Sequence, residues 1–309
     1  MSEAAEIFEP GQEFPDADAR RRLGTLVGLD SERGRLEKAL RLVFDPGSLD
    51  EWSERHHRKA LPVVDHFRRR PPLFLLAGDV GTGKTALAET IGDPVARSLN
   101  IGITLFRLSL AARGTGLVGD MTRLIAGAFA QVSEVAAKVV KSKDGKPRAG
   151  FIMLIDEADA LAQSREAVQM HHEDRAGVNA LIRGIDDLAL RQLPVAVLMC
   201  TNRLTAIDPA VRRRAADLLT FHRPTAEYRR QILNAALAPA GFTPAQIKDI
   251  VEATGETGDR PGFTFSDITQ RYLPMLVLDA YPDAPLRFAR AVELARATVP
   301  TPAFRDEAP

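Results

Sequence analysis

The stretch of sequence that decides the fold is Gly78-Asp79-Val80-Gly81-Thr82-Gly83-Lys84-Thr85. It follows the apolar run Leu73–Ala77 and opens an amphipathic segment, so a strand is expected before it and a helix after it. Its glycines let the backbone fold N–H groups around phosphates, Lys84 is expected to reach the β and γ oxygens, and Thr85 offers a hydroxyl to Mg²⁺. The pattern therefore predicts a loop that binds a nucleoside triphosphate, with a plain Gly-rich turn as the alternative.

A second element is the unbroken apolar run Phe151–Ile155, which ends in Asp156 and Glu157. Its length and composition are typical of a central strand buried on both faces. Because ligands of open α/β sheets bind at the carboxyl ends of the strands, we expect Asp156 to hold Mg²⁺ and Glu157 to polarise an attacking water. Without the loop upstream, an acidic pair at a strand end would more often indicate a plain turn.

Length and composition limit the classes of function. A chain of 309 residues, 45% of them hydrophobic, is long enough for one large and one small globular domain. Because 41 basic residues balance 41 acidic ones, no overall field draws the protein to nucleic acid or anionic lipid. Cys200 has no cysteine partner, the first residues are acidic, and no apolar run approaches about 20 residues. We therefore expect a cytoplasmic protein without a membrane anchor.

Strand-like runs alternate with helix-periodic segments from Leu73 onward. The strand-like runs are Leu73–Ala77, 101–110, Phe151–Ile155 and 194–200. This alternation predicts an α/β fold with a parallel sheet flanked by helices. After residue 222 only helical patterns follow, which predicts a small all-helical lid at the C-terminal end. The expected division is a flexible polar leader over 1–22, a large α/β domain over 23–222 and the lid over 223–309.

Two further groups of polar residues follow the last strand-like run. Asn202 comes directly after residues 194–200 and is placed to orient the attacking water; capping of the strand is the alternative reading. Arg212, Arg213 and Arg214 are presented together after Ile207-Asp208-Pro209. One of them is expected to act as an arginine finger that stabilises charge on the γ-phosphate, whereas surface arginines that only solvate a helix are the competing account.

The order of these motifs resembles that of the AAA+ ATPases, P-loop NTPases with a helical lid. Within that superfamily, several stretches resemble the pachytene-checkpoint group, whose members remodel HORMA-domain proteins: Arg175–Leu181, Ile185-Asp186, Ile207–Ala210 and Arg214-Ala215. The short length is similar to the bacterial branch linked to cyclic-oligonucleotide antiphage signalling (CBASS). The resemblance covers the chain from about Leu23 to its C-terminal end.

The resemblance implies a homohexameric ring that hydrolyses ATP with Mg²⁺. Such a ring pulls a peptide segment of a HORMA-domain partner, itself bound to a nucleotidyltransferase, through its centre. Hydrolysis sites then lie between subunits, with Arg214 as the interfacial arginine and Arg213 as its possible substitute. Gly28 would lie beside the adenine base. Ile268 falls where the family carries a sensor arginine, with Arg260 and Arg271 nearby.

The resemblance also places a pore loop after the second strand, at Leu117, Val118 and Gly119. Leu117 stands where the family usually has an aromatic residue, and an aliphatic side chain gives less contact area to an extended peptide. An ordinary Gly-rich connection is the alternative reading.

Three functions compete at this stage. The first is a peptide-threading remodeller that disassembles a HORMA signalling complex and so restrains synthesis of a second messenger in antiviral defence. The second is a nucleic-acid motor or loader, against which the balanced charge and the single Trp count. The third is a nucleotide-switched scaffold without turnover, against which Glu157 and Asn202 argue. We favour the first.

Overall fold

The computed structural model describes residues 7–109, 120–139, 148–160 and 172–303. Within these residues the chain forms two compact units. Unit 1 comprises the chain up to Gly24 together with Ser31–Ala77 and Thr85–Thr220. Unit 2 comprises Thr25–Asp30, Gly78–Lys84 and the chain from Phe221 onward.

A six-stranded, mostly parallel sheet is the centre of unit 1. Its strands are β1 (Gln12–Phe14), β2 (Leu73–Gly78), β3 (Gly102–Arg107), β4 (Ala149–Ile155), β5 (Val195–Thr201) and β6 (Ala215–Phe221). They lie in the order β1-β3-β4-β5-β2-β6. The pairs β3–β4, β4–β5 and β2–β5 are parallel, and β1 pairs antiparallel with β3. The α/β fold class predicted from the sequence is confirmed.

Helices cover this sheet. The α-helices of the described residues up to position 212 are α1 (Ala17–Gly24), α2 (Asp30–Phe44), α3 (Ser48–His57), α4 (Pro62–Arg68), α5 (Lys84–Thr90), α6 (Gly92–Leu99), α7 (Asp120–Ala137), α8 (His172–Arg191) and α9 (Pro209–Arg212). Successive side chains of a strand point to opposite faces, and β5 is buried at every position, so both faces of the sheet are covered. On one face Met153 and Val197 share a core with Phe129 of α7 and Leu181 of α8.

The N-terminal segment is ordered by the chain itself. Gln12–Phe14 extends the sheet as an edge strand, and Phe8 and Phe14 are buried. The backbone N–H of Asp16 donates to the carboxylate of the buried Asp93 at 2.8 Å. The expectation of a flexible leader is therefore wrong for residues 7–22, because burial of two Phe rings and strand pairing compensate for the polar composition.

Unit 2 has a helical core of its own. Its C-terminal helices are α10 (Ala226–Leu237), α11 (Pro244–Ala253), a π-helical turn (Asp267–Tyr272) that runs into α12 (Leu273–Ala280), and α13 (Phe288–Ala297). Phe263 and Tyr272 are fully buried among aliphatic side chains. Thr243 and Gln246 form a capping box that fixes the start of α11. The all-helical C-terminal region predicted from the sequence is thus observed.

Several elements were not predicted from the sequence. Strand β6 completes the sheet beside β2, and helices α3 and α4 lie in the segment 45–70, whose charged residues conceal the helical periodicity. Among the described helices, none combines the length and the apolar character needed to cross a membrane.

Candidate active site

The loop Gly78–Lys84 is held in a narrow space that glycine alone fits. A Cβ atom at position 78 would lie 2.1 Å from the carbonyl oxygen of Phe221. Gly81 has φ +74°, and a Cβ there would lie 2.7 Å from the hydroxyl oxygen of Thr264. The backbone N–H of Ser266 donates to the Gly81 carbonyl at 3.2 Å. Side chains at these positions would therefore displace the loop from its neighbours within unit 2.

Lys84 closes this loop on itself. Its ammonium group is buried and donates to the carbonyl oxygens of Gly78 at 2.8 Å and Asp79 at 2.7 Å. The Thr82 hydroxyl donates to the same Asp79 carbonyl at 2.8 Å. A cation surrounded by backbone groups with little side-chain bulk is the arrangement that binds phosphate groups.

The parallel register of unit 1 aligns the ends of the central strands. Ala77 of β2 pairs with Thr201 of β5, and Ile155 of β4 pairs with Met199. The residues that follow these strands therefore lie along one edge of the sheet. The Thr85 hydroxyl donates to Asp156 Oδ1 at 3.2 Å. A hydroxyl and a carboxylate at this distance are oxygen donors of the kind that suit Mg²⁺, so the residues present fit a magnesium site.

An arginine that the sequence analysis missed holds the other carboxylate oxygen. Arg107 donates to Asp156 Oδ2 at 3.1 Å and to Glu89 Oε1 at 2.6 Å. It ends β3, and its register partner in β4 is Leu154, two residues before Asp156. The strand-end position of Arg107 was a signal that could have found it, because carboxyl ends of parallel strands meet at one edge.

Glu157 has an unusual backbone conformation. Its φ is +49°, in the left-handed region, and its side chain is exposed. Its backbone N–H donates to Asp156 Oδ1 at 3.0 Å, so the turn after β4 is tied to the preceding acid. A non-glycine residue in this region is a local strain of the type that clusters at functional sites.

Asn202 lies half-buried directly after β5, at the strand edge that holds Asp156. The preceding residue fixes this strand end, because the Thr201 hydroxyl donates to Asp159 Oδ1 at 3.0 Å. The same hydroxyl oxygen accepts the Arg203 backbone N–H at 3.0 Å. The chain on either side of Asn202 is thereby held in place.

The three consecutive arginines differ in their surroundings. Arg214 forms a bidentate ion pair with Asp186 of α8, with Nε–Oδ1 2.7 Å and Nη2–Oδ2 2.9 Å. The hydrogen bond to Asp186 raises the pKa of Arg214, although burial opposes it. Arg212 and Arg213 are exposed. Within one protomer, the arginine expected at the subunit boundary is therefore held by a carboxylate of its own chain.

The other sites expected from the resemblance have different outcomes. Gly28 has φ +72° and lies against the Tyr228 ring, 2.7 Å from where its Cβ would be. Ile268 is fully buried in the core of unit 2. Arg271 pairs with Asp267, and Arg260 donates to the Ala253, Ala295 and Thr298 carbonyls. Leu117, Val118 and Gly119 lie outside the described residues.

Comparisons with known proteins agree with this geometry. The model of the "ATPase family associated with various cellular activities (AAA)" matches residues 74–223. The chain is 53% identical over 302 residues to CD-NTase-associated protein 6 of Escherichia coli (strain MS 115-1), covering 97% of each protein. It superimposes on one chain of the solved E. coli MS115-1 HORMA:CdnC:Trip13 complex with a TM-score of 0.92 and 52% identity, covering 98% of this chain and 99% of that one.

A more distant relative is the "AAA ATPase forming ring-shaped complexes" of Bifidobacterium dentium. It is 30% identical over 215 residues, which are 64% of this chain and 38% of that protein. The resemblance drawn from the sequence motifs is confirmed. The chain belongs to the AAA family of ATPases, as a nucleotide-binding enzyme that hydrolyses ATP, and within it to the family of CD-NTase-associated protein 6.

Proposed function

We propose that the nucleotide is ATP bound with Mg²⁺, and that the loop Gly78–Thr85 holds its phosphates. The buried Lys84 ammonium supports this proposal, since it supplies the charge that the β and γ phosphates require. Thr85 and Asp156, whose oxygens lie 3.2 Å apart, would hold Mg²⁺. When bound, the metal ion neutralises negative charge on the phosphates. Gly28 would contact the adenine.

In this proposal Glu157 takes a proton from the attacking water, and Asn202 orients that water. The support is their position directly after β4 and β5, whose register places both chain segments at one sheet edge. The exposed Glu157 carboxylate is accessible to water. Arg214, or Arg213 in its place, would act on the nucleotide of a neighbouring subunit. We assign residues 23–222 to the ATPase domain and 223–309 to the lid.

We further propose that the protein works as a cytoplasmic hexameric ring. It threads a peptide segment of a HORMA-domain protein through its pore, gripped at Leu117, Val118 and Gly119. This opens a complex of the HORMA protein with a nucleotidyltransferase and so restrains second-messenger synthesis in antiphage defence. The observation that carries the proposal is the match, at 52% identity over nearly the whole chain, to a chain of the HORMA:CdnC:Trip13 complex. The name of the ring-forming relative supports the oligomer.

The test is a disassembly assay with a preformed complex of a HORMA-domain protein and a nucleotidyltransferase. Wild-type protein with ATP and Mg²⁺ should dissociate the complex and release phosphate faster in its presence. Lys84→Ala, which removes the phosphate-binding cation, should do neither. A complex that stays intact while ATP is hydrolysed would contradict the remodelling role.

The same assay separates the alternatives that were left open. Phosphate release that is stimulated by single-stranded DNA, and not by the HORMA complex, would indicate a nucleic-acid motor. ATP binding without any release of phosphate would indicate a switched scaffold.

A further inference from the structure

Asp79 places a negative charge inside a loop that is built to bind anions. A triphosphate brings several further negative charges to the same loop, and like charges repel most strongly where water is scarce. The Asp79 side chain is only 19% exposed, so solvent screens it weakly. The fold must therefore compensate this acid if the loop is to bind phosphate.

Arg223 supplies that compensation. Its Nε donates to Asp79 Oδ2 at 2.7 Å, and the arginine side chain is 15% exposed. The two residues are 144 positions apart in the chain and both belong to unit 2. A charge-assisted hydrogen bond of this length in a partly desolvated place is stronger than a surface ion pair.

The rest of the Arg223 guanidinium is bonded to backbone. Nη1 donates to the Gly262 carbonyl at 2.7 Å, and Nη2 donates to the Thr301 carbonyl at 2.9 Å. These carbonyls lie before the π-helical turn and after α13. The rigid fork of an arginine can make these three bonds at once, whereas a lysine cannot cover the same directions.

The segments that Arg223 reaches are themselves fixed. The Thr301 N–H and hydroxyl donate to the buried Asp267 carboxylate at 3.0 and 2.7 Å. Asp267 also accepts the Thr264 N–H at 2.9 Å, and Thr264 lies against Gly81. The loop is thus connected at residue 79 and at residue 81 to one hydrogen-bonded network of unit 2.

We propose that Arg223 is a positioning residue of the nucleotide site. It cancels the charge of Asp79 and ties the phosphate-binding loop to the segments at Gly262 and Thr301. Phosphate affinity then depends on how the C-terminal helices are arranged. The proposal deepens the assignment of the loop Gly78–Thr85 to ATP and rests on it.

The test is calorimetric measurement of the affinities for ATP and for ADP on the full-length chain. In Arg223→Gln the loop loses the positive charge beside Asp79, which should weaken ATP binding about tenfold and ADP binding by about threefold, because ATP carries the larger charge. In Asp79→Asn the charge of Arg223 is no longer neutralised by the Asp79 carboxylate, which should shift the ratio of the two affinities in the opposite direction, towards ATP. The double variant should recover most of the preference for ATP that Arg223→Gln loses.

A merely structural role would not produce these opposite shifts. Arg290→Gln is the matched control, since it removes an arginine of the same unit that pairs with Asp279 and touches no loop residue in the described contacts. The ratio of its ATP affinity to its ADP affinity should equal that of the wild type. Arg223→Lys keeps the charge without the fork and should fall between wild type and Arg223→Gln.

The outcomes distinguish this inference from the site assignment. Wild-type protein that binds neither nucleotide would overturn both. A second outcome would overturn the role of Arg223 alone. In that outcome the wild type binds ATP, but Arg223→Gln and Asp79→Asn shift the ratio of ATP to ADP affinity in the same direction or leave it unchanged. If Arg223→Gln does not fold, the ratio of ATP to ADP affinity in Asp79→Asn decides. A shift towards ATP supports the role of Arg223, and no shift or a shift towards ADP overturns it.

Discussion

The acids that follow β4 in unit 1 and the buried Asp267 in unit 2 have opposite surroundings. Asp156 and Glu157, at the sheet edge of unit 1, remain accessible to solvent, and Asp156 is shared between Thr85 and Arg107. Asp267 in unit 2 is fully buried. It accepts hydrogen bonds from Thr264, from Thr301 and from Arg271.

The difference separates the acids proposed to do chemistry, Asp156 and Glu157, from an acid that stabilises the fold, Asp267. A carboxylate that must bind a metal ion or a proton needs an accessible side with exchangeable partners. At Asp267, burial raises the pKa, but the combined hydrogen bonds from Thr264 and Thr301 outweigh it and leave the pKa below its usual value. Variants of the unit 1 site should therefore change rates, and variants of Asp267 should change stability.

The largest effect is expected for Arg214→Ala. If Arg214 acts on the nucleotide of the neighbouring subunit, turnover should fall by about 10³ to 10⁵ while ATP affinity changes little. Steady-state phosphate release and equilibrium binding measure the two quantities. Arg212→Ala, at an exposed neighbour, is the control and should keep most of the activity. Loss of ATP affinity with unchanged turnover per bound ATP would place Arg214 in its own subunit's pocket.

Glu157→Gln should reduce turnover by about 10² to 10⁴, because the amide cannot accept the proton of the attacking water. ATP affinity and the midpoint of chemical denaturation should stay near those of the wild type, since the side chain is exposed. Glu134→Gln, at a surface acid paired with Lys138, should leave turnover unchanged. Rapid steady-state hydrolysis by Glu157→Gln would refute the role of Glu157 as general base.

Asp267→Ala should lower the free energy of unfolding by about 2 to 4 kcal/mol, since four donors from Thr264, Thr301 and Arg271 lose a buried acceptor. Urea denaturation measures this. Asp279→Ala removes an exposed pair with Arg290 and should leave the free energy of unfolding close to that of the wild type.

The loss of stability caused by Asp267→Ala should depend on pH. Because its folded pKa lies below the ordinary value of 3.8, its contribution is fully present above that value. The contribution disappears as the pH falls through the folded pKa. The difference between wild type and Asp267→Ala should therefore narrow only in strong acid; a difference that is lost already near neutral pH would contradict the ionised, hydrogen-bonded state.

The smallest of the predicted effects is the change in stability of Glu157→Gly. Glycine adopts the left-handed φ of +49° without strain, so the variant should be more stable by about 0.5 to 1 kcal/mol although its hydrolysis fails. Gln192→Gly, at another residue with φ +49° in the connection between α8 and β5, should gain similar stability and keep its activity. Equal or lower stability of both variants would show that neither conformation is strained.

The sequence by itself determined the central strands and the motifs that follow them. Strands β2, β4 and β5 are continuous apolar runs with polar residues directly after them. The strands and the polar motifs that follow them can therefore be recognised from local stretches of sequence. The same local patterns sufficed to place Asp156, Glu157 and Asn202 directly after strands, and Lys84 at the junction between the loop that follows β2 and the next helix.

Only the tertiary structure decided which side chains stabilise those motifs. Arg223 contacts Asp79 across 144 positions, Arg107 contacts Asp156 across 49, and Arg214 contacts Asp186 across 28. The sequence around an arginine does not indicate which acid it pairs with. Ion pairs depend on distance in space and on burial, and neither follows a repeating pattern along the chain. The ordered N-terminal segment is a further case, since its polar composition is outweighed by strand pairing with β3 that exists only in the folded protein.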